Sequence, residues 1–319
     1  MHTERFDLWK PEEYNYPMSY GFIPNIVSYV HNDKRVRPCM LVVPGGGYSV
    51  VSPTEGEIVA MEFYRKGYNA FVLTYTTNLL RKEPLKTQPM KDLSRAIRMI
   101  RKDAGSFYID PKRFVICGFS AGGHLCGSVC VHYEDIEEEN PELKQISNRP
   151  DAAILSYPVI TSGTFAHTGS FEALLGDNCS EEELQYMSLE MHVTKNTPPC
   201  FIWQAREDES VPVENSYLFA NACKKAGVAF SHHVFMKGGH GLSLANRQWA
   251  DEEYGTHYTE EQTLKIVEKV KSNEILMTEE EKREFLVQFH SEDGNKKQVN
   301  EEVRVWPILA EQWLKGLFN

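Results

Sequence analysis

Phe114-Val115-Ile116-Cys117-Gly118-Phe119-Ser120-Ala121-Gly122-Gly123-His124 is the stretch on which the fold turns. An apolar run leads into a Gly-x-Ser-x-Gly pentapeptide, and a helix-compatible segment follows. The bare pentapeptide occurs by chance; a strand before it and a helix after it set a nucleophile elbow apart. Such a turn forces the central serine into a strained backbone conformation, while small neighbours let strand and helix approach closely. The Ser120 hydroxyl then stands at the strand's end, above a helix N-terminus whose free N–H groups and dipole favour developing negative charge. The competing reading is a glycine-rich structural turn carrying an idle serine.

Working outward, short apolar runs alternate with helical patterns from about Ile26 onward. Strands are expected at Cys39 to Val43, Tyr68 to Tyr75, Phe114 to Cys117, Ala152 to Tyr157, Cys200 to Ala205 and His232 to Phe235. Several are continuously apolar, as strands covered on both faces are. Helices are expected from Glu57 to Lys66, Gln88 to Ala104 and Glu214 to Ala226, the first and last closed by Gly67 and Gly227 in left-handed caps. The alternation implies a mostly parallel sheet with helices on both faces. There is no internal repeat and no low-complexity linker.

A hydroxyl is a weak nucleophile at neutral pH and needs a base oriented by a third group. The strand ending at Ala205 runs into Arg206-Glu207-Asp208-Glu209-Ser210-Val211-Pro212, three carboxylates at the end of the sheet where catalytic loops gather. Residue order alone does not choose among Glu207, Asp208 and Glu209, and a solvated acidic turn is the plain alternative. The next strand leads to Gly238-Gly239-His240-Gly241, a histidine on a loop with flexible flanks that can reach the sheet edge near Ser120. Neutral imidazole suits a base that takes the serine proton and returns it to the leaving group. His124 belongs on the helix after the elbow and is expected to pack there. His232 and His233, adjacent on a strand, face opposite ways and make no ligand pair.

Upstream, Met40-Leu41-Val42-Val43 enters Pro44-Gly45-Gly46-Gly47-Tyr48. Successive glycines can turn their N–H groups inward and, with that of Ala121, stabilise an oxyanion. A nucleotide-binding loop is the rival, but neither GxGxxG nor GxxxxGK[ST] is present.

The formal charge of −11 argues against nucleic acid as a partner. Residues 251 to 302 hold fifteen acidic and seven basic side chains, so the acidity belongs to one stretch. That stretch, from about Asn246, carries two helices with capping-box openings, Thr259-Glu260-Glu261-Gln262 and Thr278-Glu279-Glu280-Glu281. It reads as a surface excursion or, because it begins just past His240, as a lid or subunit contact that makes a homo-oligomer. Val305 to Leu317, with Trp306, Leu309 and Trp313, suits a closing helix on the sheet. Seven scattered cysteines without a CxxC pair indicate reduced, buried thiols and no metal site. The opening residues have no leader-like apolar stretch, and no run approaches the roughly 18 apolar residues of a membrane span. These features set the expectation of a cytoplasmic protein with no membrane attachment.

Together the blocks resemble the esterase branch of the α/β hydrolases, and most closely the bacterial acetyl-xylan-esterase-like and BD-FAE-like carbohydrate esterases. The likeness runs over roughly residues 36 to 246 and resumes in the last helix. Pro44-Gly45-Gly46-Gly47-Tyr48 takes the place of an HGGG oxyanion motif, with proline where many relatives have histidine. Gly118 to His124 matches the elbow, and Asp208 to Ser216 with His240-Gly241-Leu242 matches the acid and base loops. The resemblance implies a single α/β-hydrolase domain over 1–319 with a helical insertion at 246–302. It also implies a triad of Ser120, Asp208 and His240, oxyanion donors at Gly46, Gly47 and Ala121, and no cofactor. The expected activity is hydrolysis of short acyl, above all acetyl, esters of sugars or oligosaccharides. An amide-directed hydrolase, exopeptidase-like or arylformamidase-like, uses the same parts, and a non-catalytic ligand-binding relative is the third alternative.

Overall fold

A computed structural model describes residues 1–289 and 297–318. Its centre is an eight-stranded sheet: β1 (His2–Asp7), β2 (Asn25–Val30), β3 (Arg37–Val43), β4 (Asn69–Thr74), β5 (Ile109–Phe119), β6 (Ala152–Ser156), β7 (Cys200–Ala205) and β8 (Phe230–Phe235). The spatial order is β1-β2-β4-β3-β5-β6-β7-β8. From β4 to β8 every pairing is parallel; β1 with β2 and β2 with β4 are antiparallel. The mostly parallel sheet is therefore as expected, with an antiparallel edge that the sequence pattern did not reveal. The edge strand β1 is largely exposed, so His2-Thr3-Glu4-Arg5-Phe6-Asp7 carries no apolar run to announce it.

Alternation within the central strands feeds two cores. Cys39, Leu41, Phe114 and Ile116 face the helices Gln88–Lys102, Ala121–His132 and Glu214–Ala226. Met40, Val42, Val115 and Cys117 face the helices Glu57–Arg65 and Trp306–Phe318, where Trp306, Ala310 and Leu314 are buried. Gly227 takes the left-handed cap, at φ 74°. All seven cysteines are free thiols, six of them buried.

The N-terminal segment is fastened through one buried carboxylate. Asp92 accepts Trp9 Nε1–H at 2.8 Å, Gln88 Nε2–H at 2.8 Å, Thr76 N–H at 2.9 Å and the Thr76 hydroxyl at 2.5 Å. Burial pushes its pKa up to about 6 in spite of these donors. The Arg95 guanidinium lies over the Trp9 ring, 3.6 Å from its centre, and pairs with the buried Glu138.

Within 246–302, residues 290–296 lie outside the described residues. The second capping box is present: the Thr278 hydroxyl accepts Glu281 N–H, and the Glu281 carboxylate accepts Thr278 N–H. The first is absent. Thr259 is buried inside a short 3-10 turn, Tyr258–Glu260, and the helix opens only at Glu261. Gln262 does not reach back to cap; its amide is taken by Thr77, accepting the backbone N–H at 3.1 Å and hydroxyl at 3.0 Å and donating to the carbonyl at 2.9 Å. A tertiary anchor has displaced a local cap. The helix Glu261–Lys271 turns Ile266 and Val270 toward Tyr20, Leu79 and Leu80, and the helix Glu279–Val287 faces a cleft lined by Ser49, Val50, Arg81, Met277, Phe285 and Phe289. No helix among the described residues is long and apolar enough to cross a membrane.

Candidate active site

Ser120 follows β5 directly and opens the helix Ala121–His132 with φ 52° and ψ −119°, a conformation costing a side-chain-bearing residue about 1–3 kcal/mol. Three hydrogen bonds hold it there: its N–H donates to Ser156 O at 3.0 Å, and its carbonyl accepts His124 N–H at 3.0 Å and Val159 N–H at 3.2 Å. The flanking glycines are required by contact. A Cβ on Gly118 would stand 2.2 Å from the Gly122 carbonyl oxygen, and one on Gly122 would stand 2.2 Å from that of Val43.

The loop after β8 brings His240 Nε2 to 2.8 Å from Ser120 Oγ. On the far side of the ring, Nδ1 lies 2.7 Å from Asp208 Oδ2. With Asp208 accepting, the proton sits on Nδ1 and Nε2 is left to accept from the serine. Of the three carboxylates after β7, Asp208 alone turns inward; Glu207 pairs with Arg206, and Glu209 is exposed. Asp208 is aimed by its own turn, because Oδ1 accepts Ser210 N–H at 3.0 Å and Val211 N–H at 2.9 Å. Gln204 braces that turn by donating to Val211 O at 2.6 Å. The carboxylate is fully shielded while the imidazole keeps 22% side-chain exposure, an opening through which substrate can approach.

The glycine loop after β3 lies against the elbow: a Cβ on Gly45 would stand 2.6 Å from Phe119 O and 2.9 Å from Ser120 Cβ. Gly46 and Gly47 adopt φ 121° and 62°, both in the region that favours glycine. Among the described residues their N–H groups donate to no turn or loop carbonyl. Ala121 is the first residue of its helix, so its N–H has no intrahelical acceptor either.

Several residues around the site do more than their sequence positions indicate, or carry no mark in the sequence at all. His124 does more than pack: Nε2 donates to Met187 O at 2.9 Å, leaving Nδ1 to accept the Tyr48 hydroxyl at 2.7 Å. Burial lowers its pKa to about 4, so it is a neutral ring. Tyr157, at φ 37° just after β6, sets its ring edge-on to His240 with centres 5.0 Å apart. Glu55 is buried behind the glycine loop, where Oε2 accepts Gly45 N–H at 2.7 Å and Oε1 accepts the Tyr157 hydroxyl at 2.6 Å. Its pKa is raised, mainly by burial. His167, after β6, has its pKa lowered by burial first and by the neighbouring His240 second. Among the described residues no group of three or more His, Cys, Asp or Glu side chains is arranged to hold a metal ion.

Strand order and elbow together define an α/β hydrolase. Residues 27–223 match the BD-FAE family, and the chain belongs to it. It is 55% identical over 261 residues to endo-1,4-beta-xylanase B of Butyrivibrio fibrisolvens, covering 82% of this chain and 41% of that protein. It is 31% identical over 208 residues to an acetylxylan esterase of Xylanibacter ruminicola, covering 63% of this chain and 40% of that one. The chain thus spans about two fifths of the length of these curated relatives. The crystal structure of an acetyl ester-xyloside bifunctional hydrolase from Caldicellulosiruptor lactoaceticus superposes with a TM-score of 0.71 at 37% identity, covering 86% of this chain and 97% of that one.

Proposed function

We propose that this chain is a serine esterase that removes short acyl groups, acetyl above all, from sugars or oligosaccharides. The observation that carries the proposal is the unbroken line from Ser120 Oγ through His240 to Asp208, with contacts of 2.8 and 2.7 Å. In this reading His240 takes the serine proton as Oγ attacks the ester carbonyl, and Asp208 holds the ring and stabilises the imidazolium. The N–H groups of Gly46, Gly47 and Ala121 receive the oxyanion. His240 then hands the proton to the leaving alcohol, and water, deprotonated by the same ring, releases the acid. No step calls for a cofactor. The domain is 1–319, and residues 276–289 of the excursion wall the cleft beside the oxyanion loop.

A sugar-bound ester is favoured by the acetylxylan esterase and acetyl ester-xyloside hydrolase among its relatives.

The test is acetate release from acetylated xylo-oligosaccharides, alongside aryl acetates, longer acyl esters and an aminoacyl amide. The wild-type chain is expected to prefer acetyl esters, and Ser120→Ala to release none while melting normally. Turnover retained by Ser120→Ala removes Ser120 as nucleophile, and preference for the amide overturns the ester assignment. Failure of a fluorophosphonate to label Ser120 favours a non-catalytic protein.

A further inference from the structure

Glu55 plays no part in the acyl-transfer steps, yet it touches both halves of the machinery. Its Oε2 fixes Gly45, the residue before the two free loop amides. Its Oε1 fixes the Tyr157 hydroxyl, which in turn accepts Ser243 N–H at 3.0 Å, three residues past His240. The Ser243 backbone is further held by Trp306 Nε1, which donates to its carbonyl at 2.8 Å, and its hydroxyl donates to Thr54 O at 2.6 Å. One carboxylate therefore spans the loop that carries the oxyanion donors and the loop that carries the base.

The chemistry of the surroundings explains why an acid stands there. Gly45 presents an N–H, and Tyr157 presents its O–H because its oxygen already accepts from Ser243. Both neighbours are donors, and only an ionised carboxylate offers two acceptor atoms in this geometry. A glutamine has one acceptor oxygen, so its NH2 must confront a donor. For stability alone a fully buried charge is a poor choice, since apolar replacements of buried ionic groups are often neutral or stabilising. We infer that Glu55 is a positioning residue that sets the oxyanion loop and the His240 loop in register for the transition state. The inference rests on the assignment of Ser120, His240 and Asp208 proposed above.

The experiment compares the full chain with Glu55→Gln, Tyr157→Phe and the double variant. It measures kcat and KM on an aryl acetate per fluorophosphonate-titrated site, inhibition by a phenylboronic acid, and melting temperature. A boronate forms a tetrahedral adduct on the serine, so its affinity reports the oxyanion geometry directly. Glu55→Gln is expected to lower kcat by about 10²-fold, as loss of an oxyanion donor does, with KM changed less than about threefold. Boronate affinity should fall alongside kcat/KM while the melting temperature holds. The double variant should be no worse than the poorer single one, because both cut the same linkage. Wild-type kcat and boronate affinity in Glu55→Gln overturn the inference, as does activity lost only in step with melting temperature. Should Glu55→Gln fail to fold, Tyr157→Phe alone decides by the same two readouts. If the wild-type serine takes no fluorophosphonate, the triad assignment falls and this inference with it; a labelled wild type with an indifferent Glu55→Gln sinks the inference alone.

Discussion

The Tyr48 hydroxyl donates to Nδ1 of His124 across 2.7 Å, tying the residue after the three glycines to the first turn of the helix that Ser120 opens. The glycine loop is thus fastened to the elbow at a side chain, and its donors inherit the rigidity of the helix. Removing that hydroxyl leaves the buried ring nitrogen only the more distant Ser128 hydroxyl, at 3.4 Å. Tyr48→Phe should cost about 1–2 kcal/mol of stability, read by denaturant unfolding. It should also reduce kcat/KM on aryl acetates about tenfold as the loop loosens.

The same histidine makes stability depend on acidity. Its pKa falls from an ordinary 6.5 to about 4 on folding, so its contribution is fully present above 6.5 and drains away as pH falls toward 4. About 3 kcal/mol is at stake over that window. His124→Gln keeps a donor and an acceptor but does not titrate. Unfolding free energies near pH 7 and near pH 5 should therefore converge in the variant relative to the wild type, and an unchanged difference would refute the assignment.

Asp92 acts with the opposite sign. Burial lifts its pKa from 3.8 to about 6, so the stability it contributes is present below 3.8 and lost as pH rises through 6. Asp92→Asn removes this dependence, but its NH2 must face two of the four donors. A net loss of about 2 kcal/mol near pH 7, with a flatter pH profile, is the expected result in the same unfolding assay.

Asp208→Asn should keep the turn, since an amide oxygen can still accept from Ser210 and Val211. The amide NH2 would then point at His240 Nδ1 and favour the tautomer with its proton on Nε2, facing the serine. A fall in kcat of about 10³–10⁴ with little change in melting temperature is expected from pre-steady-state and steady-state ester hydrolysis.

Gln262→Ala should free the start of the excursion by deleting three hydrogen bonds to Thr77. Limited proteolysis within 246–302 is expected to accelerate, with about 2 kcal/mol lost locally by hydrogen exchange. Proteolysis at the wild-type rate would show that the helix is held by its apolar face alone.

What could be read from the residues divides along physical lines. The parallel strands and the elbow were legible because burial on both faces and the Gly-x-Ser-x-Gly turn leave local marks. The nearness of His240 to Ser120 followed from a histidine placed just past the next strand. Choosing Asp208 over Glu207 and Glu209 needed the family likeness, because inward aim depends on two backbone N–H groups that no residue spacing displays. Glu55 was illegible: Pro53-Thr54-Glu55-Gly56 looks like a solvated turn, and only the packed structure buries it. β1 leaves no mark in the sequence because an edge strand with polar faces has no periodic signal. Thr259 misled because a cap is a local preference, and Gln262 found stronger partners in Thr77.

The interlock of Gly118 with Gly122, and of Gly122 with Val43, limits how this scaffold can change. Three backbones meet there with no room for even one methyl group, so a side chain at those positions would prise Ser120 off the sheet. If the proposed activity holds, change toward other substrates must instead run through positions away from that junction, such as the cleft side chains Met277, Phe285 and Phe289.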